Sequence, residues 1–505
     1  MKKPTFYITT PLYYVNDEPH IGHAYTTILA DVISRFQKSL GNDVYFLTGT
    51  DEHGQKVQEA SKKRNMDPQN HADEYVQRFI NLWKKLDIKY DDFIRTTEKR
   101  HTDRVKDLLM ILWEKGEIYQ DEYEGLYSVS EERFITEKEY ETGEFREVKK
   151  IKEKNYFFKM SKYQNQLIKH IDQNPNFIQP ESRKNEILGF LNKPLNDLCI
   201  SRPKSRLSWG IELPFDEKFV TYVWFDALTN YISSIGWNTD ESKFNKLWPA
   251  NYHLIGKDII TTHAVFWTTM LLASNIKLPK SIFAHGWWLM DNTKMSKSLG
   301  NVVKPLDLID EFGPDALRYY LMKNMVLGQD ASFTYDSFVK RYNSDLANDY
   351  GNVVNRVLVL IKKYFNSRVP SPGEYNEVDL KLISSFESVY TKLSSLIDNL
   401  KIHDATESIF SLVRLINKYL EDKEPWKTVK DYPGDKEITA TTLFISIEAI
   451  RICSLLLNPI IPNKTAVVLD AMSIKNINIK KINFGEITAG QKIELVPTLF
   501  PRIDL

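Results

Sequence analysis

Cysteine is almost missing from this chain: 505 residues hold two, Cys199 and Cys453. That excludes a disulfide framework and a four-thiolate metal site. An excess of one charge is missing as well, because 67 Lys plus Arg face 67 Asp plus Glu. A whole-surface polycation is therefore excluded, and any nucleic-acid site must be a local patch. No run of about 18 apolar residues occurs, so no membrane-spanning helix is expected. Residues 1–5 lead straight into a strand-like stretch with no room for a secretory apolar region. A soluble cytoplasmic protein is the expectation. A glycine-rich phosphate fingerprint is missing after the first strand, which argues against a dinucleotide-dependent oxidoreductase. Internal repeats and low-complexity tracts are missing too.

What is present is ordinary globular material: 42% apolar, 27% charged and 12% aromatic residues, enough for sizeable cores. At roughly 150 residues per domain, the length predicts about three domains. Residues 5–9 (TFYIT) read as a buried strand. A polar loop follows over 13–19, then a helix opening at His20 with Ile28, Leu29, Val32, Ile33 and Phe36 at helical spacing. Gly41 and Asn42 end it, and 44–47 is a second strand. Strand, helix, strand in this order is a βαβ unit and predicts a parallel sheet.

The pattern then changes. Residues 116–217 read as an inserted, β-rich domain, with a run of mixed charge over 131–154 that reads as a solvated arm. Strands resume at 219–225, 252–255 and 281–285. From 336 to 505 the strands stop, and amphipathic segments at 344–365, 378–402, 405–421 and 438–457 predict a helical bundle. Residues 369–373 (VPSPG) form a loop between two of its helices, and 499–502 (LFPR) look like a docked tail. The predicted fold class is α/β: a Rossmann-like parallel-sheet domain (1–115 and 218–335) interrupted by a connective domain (116–217), followed by an all-α bundle (336–505).

Two short motifs carry chemistry. In His20-Ile21-Gly22-His23, the imidazoles lie on one face of a helix start, where ring N–H groups and the positive end of the dipole can hold a polyphosphate. Gly22 lets a bulky ligand lie against the backbone. The second is Lys294-Met295-Ser296-Lys297-Ser298, in which two lysines three apart in a turn-rich segment can steady a departing pyrophosphate. Alone, the first also fits a pair of surface histidines, and the second an exposed basic loop.

Together, in this order and around a βαβ unit, they are the two signatures of class I aminoacyl-tRNA synthetases. The segments 10–16 (TPLYYVN), 50–54 (TDEHG), 222–228 (YVWFDAL), 255–258 (IGKD) and 284–286 (AHG) are similar to those of the methionyl-tRNA synthetase family, and the resemblance runs through nearly the whole chain. It implies activation of methionine with ATP and Mg2+ to methionyl-adenylate, then transfer to methionine tRNA, initiator and elongator.

By the same resemblance, His20, Gly22, His23, Gly256, Asp258, Lys294, Met295, Ser296, Lys297 and Ser298 bind ATP, with His20, His23, Lys294 and Lys297 catalytic. Leu12, Tyr14, Trp224, Ala227, Tyr231 and His285 line the methionine pocket, and Asp51 partners the ammonium. Trp224, Ala227 and Tyr231 stand at i, i+3 and i+7, one helix face, which by itself also fits plain core. Asn352, Arg356 and Trp426 read the anticodon. Asn352 and Arg356 share a helix face, and Trp426 offers a stacking surface; a packing role for Trp426 is the bland reading.

Two departures stand out. Leu228 occupies a position where some relatives carry proline. Tyr127-Ser128-Val129-Ser130-Glu131-Glu132 stands where many relatives carry zinc-knuckle cysteines, and serine hydroxyls are poor zinc ligands, so no structural zinc is expected. With no oligonucleotide-binding domain after the bundle, a monomer is expected. A class I synthetase for another apolar amino acid, or a silent tRNA-binding relative, are the alternatives. The Trp224 and His285 contexts argue against the first, and intact His20, His23 and Lys297 against the second.

Overall fold

The computed structural model describes residues 3–128, 133–135, 140–141, 143, 148–290, 293–294, 303–431, 436–475, 478–479 and 482–504. The β-branched and aromatic run Thr5–Thr9 is the centre of a parallel sheet. On one side it pairs with Asp43–Asp51, which also pairs with Asp92–Arg95. On the other it pairs with Tyr252–Gly256, then Ile282–His285, then Ile178–Gln179. The strand Ile178–Gln179 belongs to the inserted stretch, so the insertion returns an edge strand to the sheet it interrupts.

Side-chain alternation divides the core. Phe6, Ile8, Phe46, Leu254 and Phe283 face one apolar cluster; Tyr7, Leu47, Ile255, Ile282 and Ala284 face another. Period-two alternation in a sheet covered on both faces requires this. The first cluster takes helix Ile21–Ser39 and runs on into the bundle; the second takes helix Lys99–Glu114 and the packing side of the insertion.

Two sequence expectations shift. The strand expected at 219–225 is Asp216–Thr221, and helix Val223–Leu228 follows at once. The loop expected at 13–19 opens with a short strand, Tyr13–Tyr14, paired with Thr50 and Asp51. The insertion is built on antiparallel strands, chiefly Ile118–Ser128 against Val148–Phe158, and it also carries helices Gln164–Gln173 and Glu181–Leu191.

The bundle comprises Asn352–Phe365, Glu377–Asp398, Ile402–Lys423, Lys436–Leu457 and Pro462–Ala471. The segment expected at 344–365 begins as a wide π turn, Tyr342–Gly351, before Asn352. The segment expected at 378–402 breaks at Leu400, whose φ is +55°. Helix Lys436–Leu457 is long and apolar enough to cross a membrane, and its apolar stretch is wholly inside the bundle. Arg318 locks the bundle to the helices covering the sheet: fully buried, it donates to Asp31 on helix Ile21–Ser39 at 2.6 Å and to the carbonyls of Leu86, Pro459 and Ile460. The tail docks as expected, with Phe500 3% exposed and Ile503 exchanging two hydrogen bonds with Asn343.

Candidate active site and anticodon-binding face

The chain leaves Thr5–Thr9 for a neighbour on one side and, after the insertion, reaches a neighbour on the other. That reversal opens a crevice at the carboxyl ends of the two central strands, where open α/β sheets bind ligands. The end of each strand delivers site residues: His20 after Thr9, Asp51 at the end of Asp43–Asp51, Gly256 and Asp258 after Leu254, and His285 at the end of Ile282–His285.

His20 is the N-cap of helix Ile21–Ser39. Its Nδ1 accepts the Gly22 amide at 3.1 Å, and His23 Nδ1 accepts the His20 amide at 3.1 Å. The rings stack with centroids 3.7 Å apart. Burial pushes His20 down to about 4 against the pull of the Asp258 charge, and pushes His23 well below the ordinary value, helped by His20. Both rings are neutral at pH 7. With each Nδ1 accepting, each proton sits on Nε2, so the pair presents two neutral N–H donors at a helix N-terminus. The space over Gly22 is filled by His20 itself: a Cβ there would sit 2.9 Å from His20 Cε1.

A group of aromatic side chains gathers around Trp224. Tyr14 meets Trp224 edge to face, 6.3 Å between centroids, and Tyr14 pairs with Asp51, which is 2% exposed. Trp224 and Ala227 lie on Val223–Leu228 and Tyr231 on Asn230–Ser233, a near-continuous helix interrupted at Thr229. Ala227, Leu228 and Tyr231 are buried, while Leu12 and Trp224 stay partly open.

The histidine that joins this group is His263. It lies 6.5 Å from Trp224, edge to face, and its Nε2 accepts the Tyr231 hydroxyl at 2.8 Å. Its Nδ1–H donates to the Ile259 carbonyl, and burial holds its pKa near 4. His285 bonds Thr26 on the His20 helix through Nε2 at 2.7 Å, and its Nδ1–H donates to Gly286. Its ring also meets Tyr25 edge to face, 5.0 Å between centroids.

Sequence reasoning also passed over a buried carboxylate. Asp226 accepts His53 Nδ1–H at 2.6 Å and His101 Nε2–H at 2.7 Å. Burial alone would raise its pKa; the two histidines outweigh this and hold it below the usual value. The three fasten the Trp224 helix to the strand end that bears Asp51. His53 and Asp226 lie inside segments that carried the resemblance, but no spacing rule joins them to His101.

Of the second motif, Lys294 lies in the two-residue strand Thr293–Lys294 against Leu289 and Met290. Met295, Ser296, Lys297 and Ser298 lie outside the described residues, as do residues 129–132 of the serine-bearing stretch at 127–132. Among the described residues, no group of three or more His, Cys, Asp or Glu side chains is placed to hold a metal.

In the bundle, Asn352 is exposed at the first position of Asn352–Phe365, one turn before Arg356. Helix Ile402–Lys423 stops at Glu424, whose φ is +42°, and Pro425–Asp431 turns Trp426 back toward Arg356. The Arg356 guanidinium lies over the Trp426 ring, 4.1 Å from its centroid. Trp426 is half-buried, its other contacts on the apolar core.

A parallel sheet split by an insertion, a histidine-capped helix at its switch point and a helical bundle behind it define a class I aminoacyl-tRNA synthetase. Residues 6–149 and 142–358 match the model of the family "tRNA synthetases class I (M)", and 369–504 match "Anticodon binding domain of methionyl tRNA ligase". The chain belongs to the methionyl-tRNA synthetase family. It is 44% identical over its whole length to a methionine–tRNA ligase of Clostridium tetani, and 42% identical to one of Listeria monocytogenes, covering 79% of each. It superposes on Mycobacterium tuberculosis methionyl-tRNA synthetase in complex with methionyl-adenylate with a TM-score of 0.95, at 38% identity over 99% of this chain and 100% of that one. The apo form of that enzyme gives 0.88 at 35% identity, covering 100% of this chain and 99% of that one.

Proposed function

We propose that the crevice carries out both steps of methionine–tRNA ligation. A carboxylate oxygen of methionine attacks the α-phosphorus of magnesium-bound ATP. The bond from that phosphorus to the bridging oxygen breaks, and pyrophosphate leaves. A ribose hydroxyl at the end of methionine tRNA then attacks the methionyl carbonyl carbon, and AMP leaves.

The protein's share is positioning and charge stabilisation. His20 and His23 donate hydrogen bonds from Nε2–H to phosphate oxygens, and both stay neutral throughout. Lys297, with Lys294, meets the charge that builds on the leaving pyrophosphate. Met295, Ser296 and Ser298 complete that loop around the phosphates. Asp258 accepts a ribose hydroxyl, with Gly256 leaving room for it. Asp51 receives the ammonium, and Leu12, Tyr14, Trp224, Ala227, Tyr231 and His285, joined by His263, enclose the thioether chain. A flexible chain with a weakly accepting sulfur suits such aromatic walls. His285 also ties the pocket to the histidine-capped helix through Thr26. Asn352, Arg356 and Trp426 contact the anticodon.

One observation carries this reading: the neutral two-histidine helix start and the Asp51 aromatic pocket converge on the same strand ends. The test separates the two steps. Pyrophosphate exchange into ATP should require methionine, and the isolated enzyme-bound product should pass methionine to its tRNA with no further ATP. Tight tRNA binding with no exchange would support a silent relative instead.

A further inference from the structure

Asp258 is exposed, yet its carboxylate is not left to rotate. Among the described residues one side chain donates to it: the Trp287 indole N–H reaches Oδ1 at 3.1 Å. Gly256 leaves the space in which that oxygen sits, since a Cβ there would lie 2.6 Å from it.

Trp287 is itself pinned. Its backbone N–H donates to Asp330 Oδ1 at 2.8 Å. Lys257 Nζ stands 4.1 Å from the indole centroid and bonds Asp330 Oδ2 at 2.7 Å. Burial would raise the Asp330 pKa, but Lys257 and the Trp287 amide hold it below the ordinary value, so it stays charged. Gly286 brings the backbones together, because a Cβ there would strike the Gln329 carbonyl at 2.1 Å. Lys257, Asp258, Trp287 and Asp330 thus form a closed ring in which each fixes the next.

We propose that Trp287 and Asp330 are positioning residues for the nucleotide ribose: they hold the Asp258 carboxylate in the orientation that accepts a ribose hydroxyl. The inference rests on reading Asp258 as the ribose acceptor. Trp287 fills one oxygen and leaves the other directed at the ligand, so binding need not first order a free rotor.

The readout is discrimination between ATP and its 2′- and 3′-deoxy analogues in methionine-dependent pyrophosphate exchange. A charged acceptor makes the loss of its hydroxyl cost about tenfold to a hundredfold in kcat/KM. That ratio should collapse toward one in Asp258→Ala. In Trp287→Phe, which keeps the ring under Lys257 but removes the N–H, and in Asp330→Asn, it should fall at least about threefold, on the order expected for one neutral hydrogen bond. The methionine KM and the melting temperature should not move. If Asp258→Ala discriminates like the parent, the ribose reading itself fails. If Asp258→Ala loses discrimination while Trp287→Phe keeps it, or loses activity equally on every nucleotide, the positioning role is overturned and the ribose reading survives.

Discussion

His20 and His23 cap the same helix through one another: His20 Nδ1 accepts the Gly22 amide, His23 Nδ1 accepts the His20 amide, and the rings stack 3.7 Å apart. A pair tied this way gains nothing from protonation, since a second ring proton would displace a capping amide. Burial enforces the same state at His253, His263 and His285, whose pKa values are all lowered.

A stability profile follows with a definite sign. In the unfolded chain each histidine binds a proton below about 6.5; folded His20 and His263 do so only near 4. The unfolded state therefore holds more protons between these limits, and stability falls as pH drops through that window. At pH 5, His20 alone should cost roughly 2 kcal/mol. The melting temperature should decline steadily from pH 7 to 5, less steeply in His263→Asn. A flat profile would show that these rings are protonated in the folded protein.

The two candidate pocket histidines should both bear on methionine. His263→Ala removes the acceptor of the Tyr231 hydroxyl and should raise the methionine KM about tenfold, as expected for a buried polar group left unpaired. His285→Ala should raise the methionine KM and, through Thr26 and the histidine-capped helix, the ATP KM as well. Steady-state exchange with each substrate varied in turn measures both, and a methionine KM unchanged in either variant would take that histidine out of the pocket.

This choice shows where the sequence stopped being readable. The parallel sheet and the helix at His20 were legible because apolar spacing writes them locally. The junction at Thr221-Tyr222-Val223 was not, since β-branched and aromatic residues continue there while tertiary packing starts the helix. His263 and His285 both sit among apolar residues, and only the fold sends one to Tyr231 and the other to Thr26. The Asp226–His101 contact spans 125 residues, beyond any periodicity. The Arg356–Trp426 contact was half legible: each residue was singled out, but not that one covers the other.

That contact makes a coupled variant series informative. Trp426→Ala should lower kcat/KM for tRNA by about tenfold to a hundredfold, the worth of a stacked base, with pyrophosphate exchange unchanged. Because Arg356 rests on the indole, Arg356→Ala and the double variant should be markedly non-additive. Equal losses in both activities with a lower melting temperature would make Trp426 a packing residue.

Zinc should be absent from purified protein at stoichiometric level, and a chelator should not unfold it. Burial raises the pKa of the Cys199 thiol despite nearby Arg202, and that of Cys453 as well, so neither is poised as a thiolate ligand. Elemental analysis finding about one zinc per chain would contradict this donor-chemistry argument.

The most direct measurement is pyrophosphate exchange across the twenty amino acids on one preparation. Methionine alone should support rapid exchange, because the Tyr14, Trp224, Tyr231 and His263 walls suit its flexible thioether and Asp51 its ammonium. Exchange supported equally well by leucine, isoleucine or valine would contradict the assignment of substrate, and no exchange with any amino acid would contradict the assignment of chemistry.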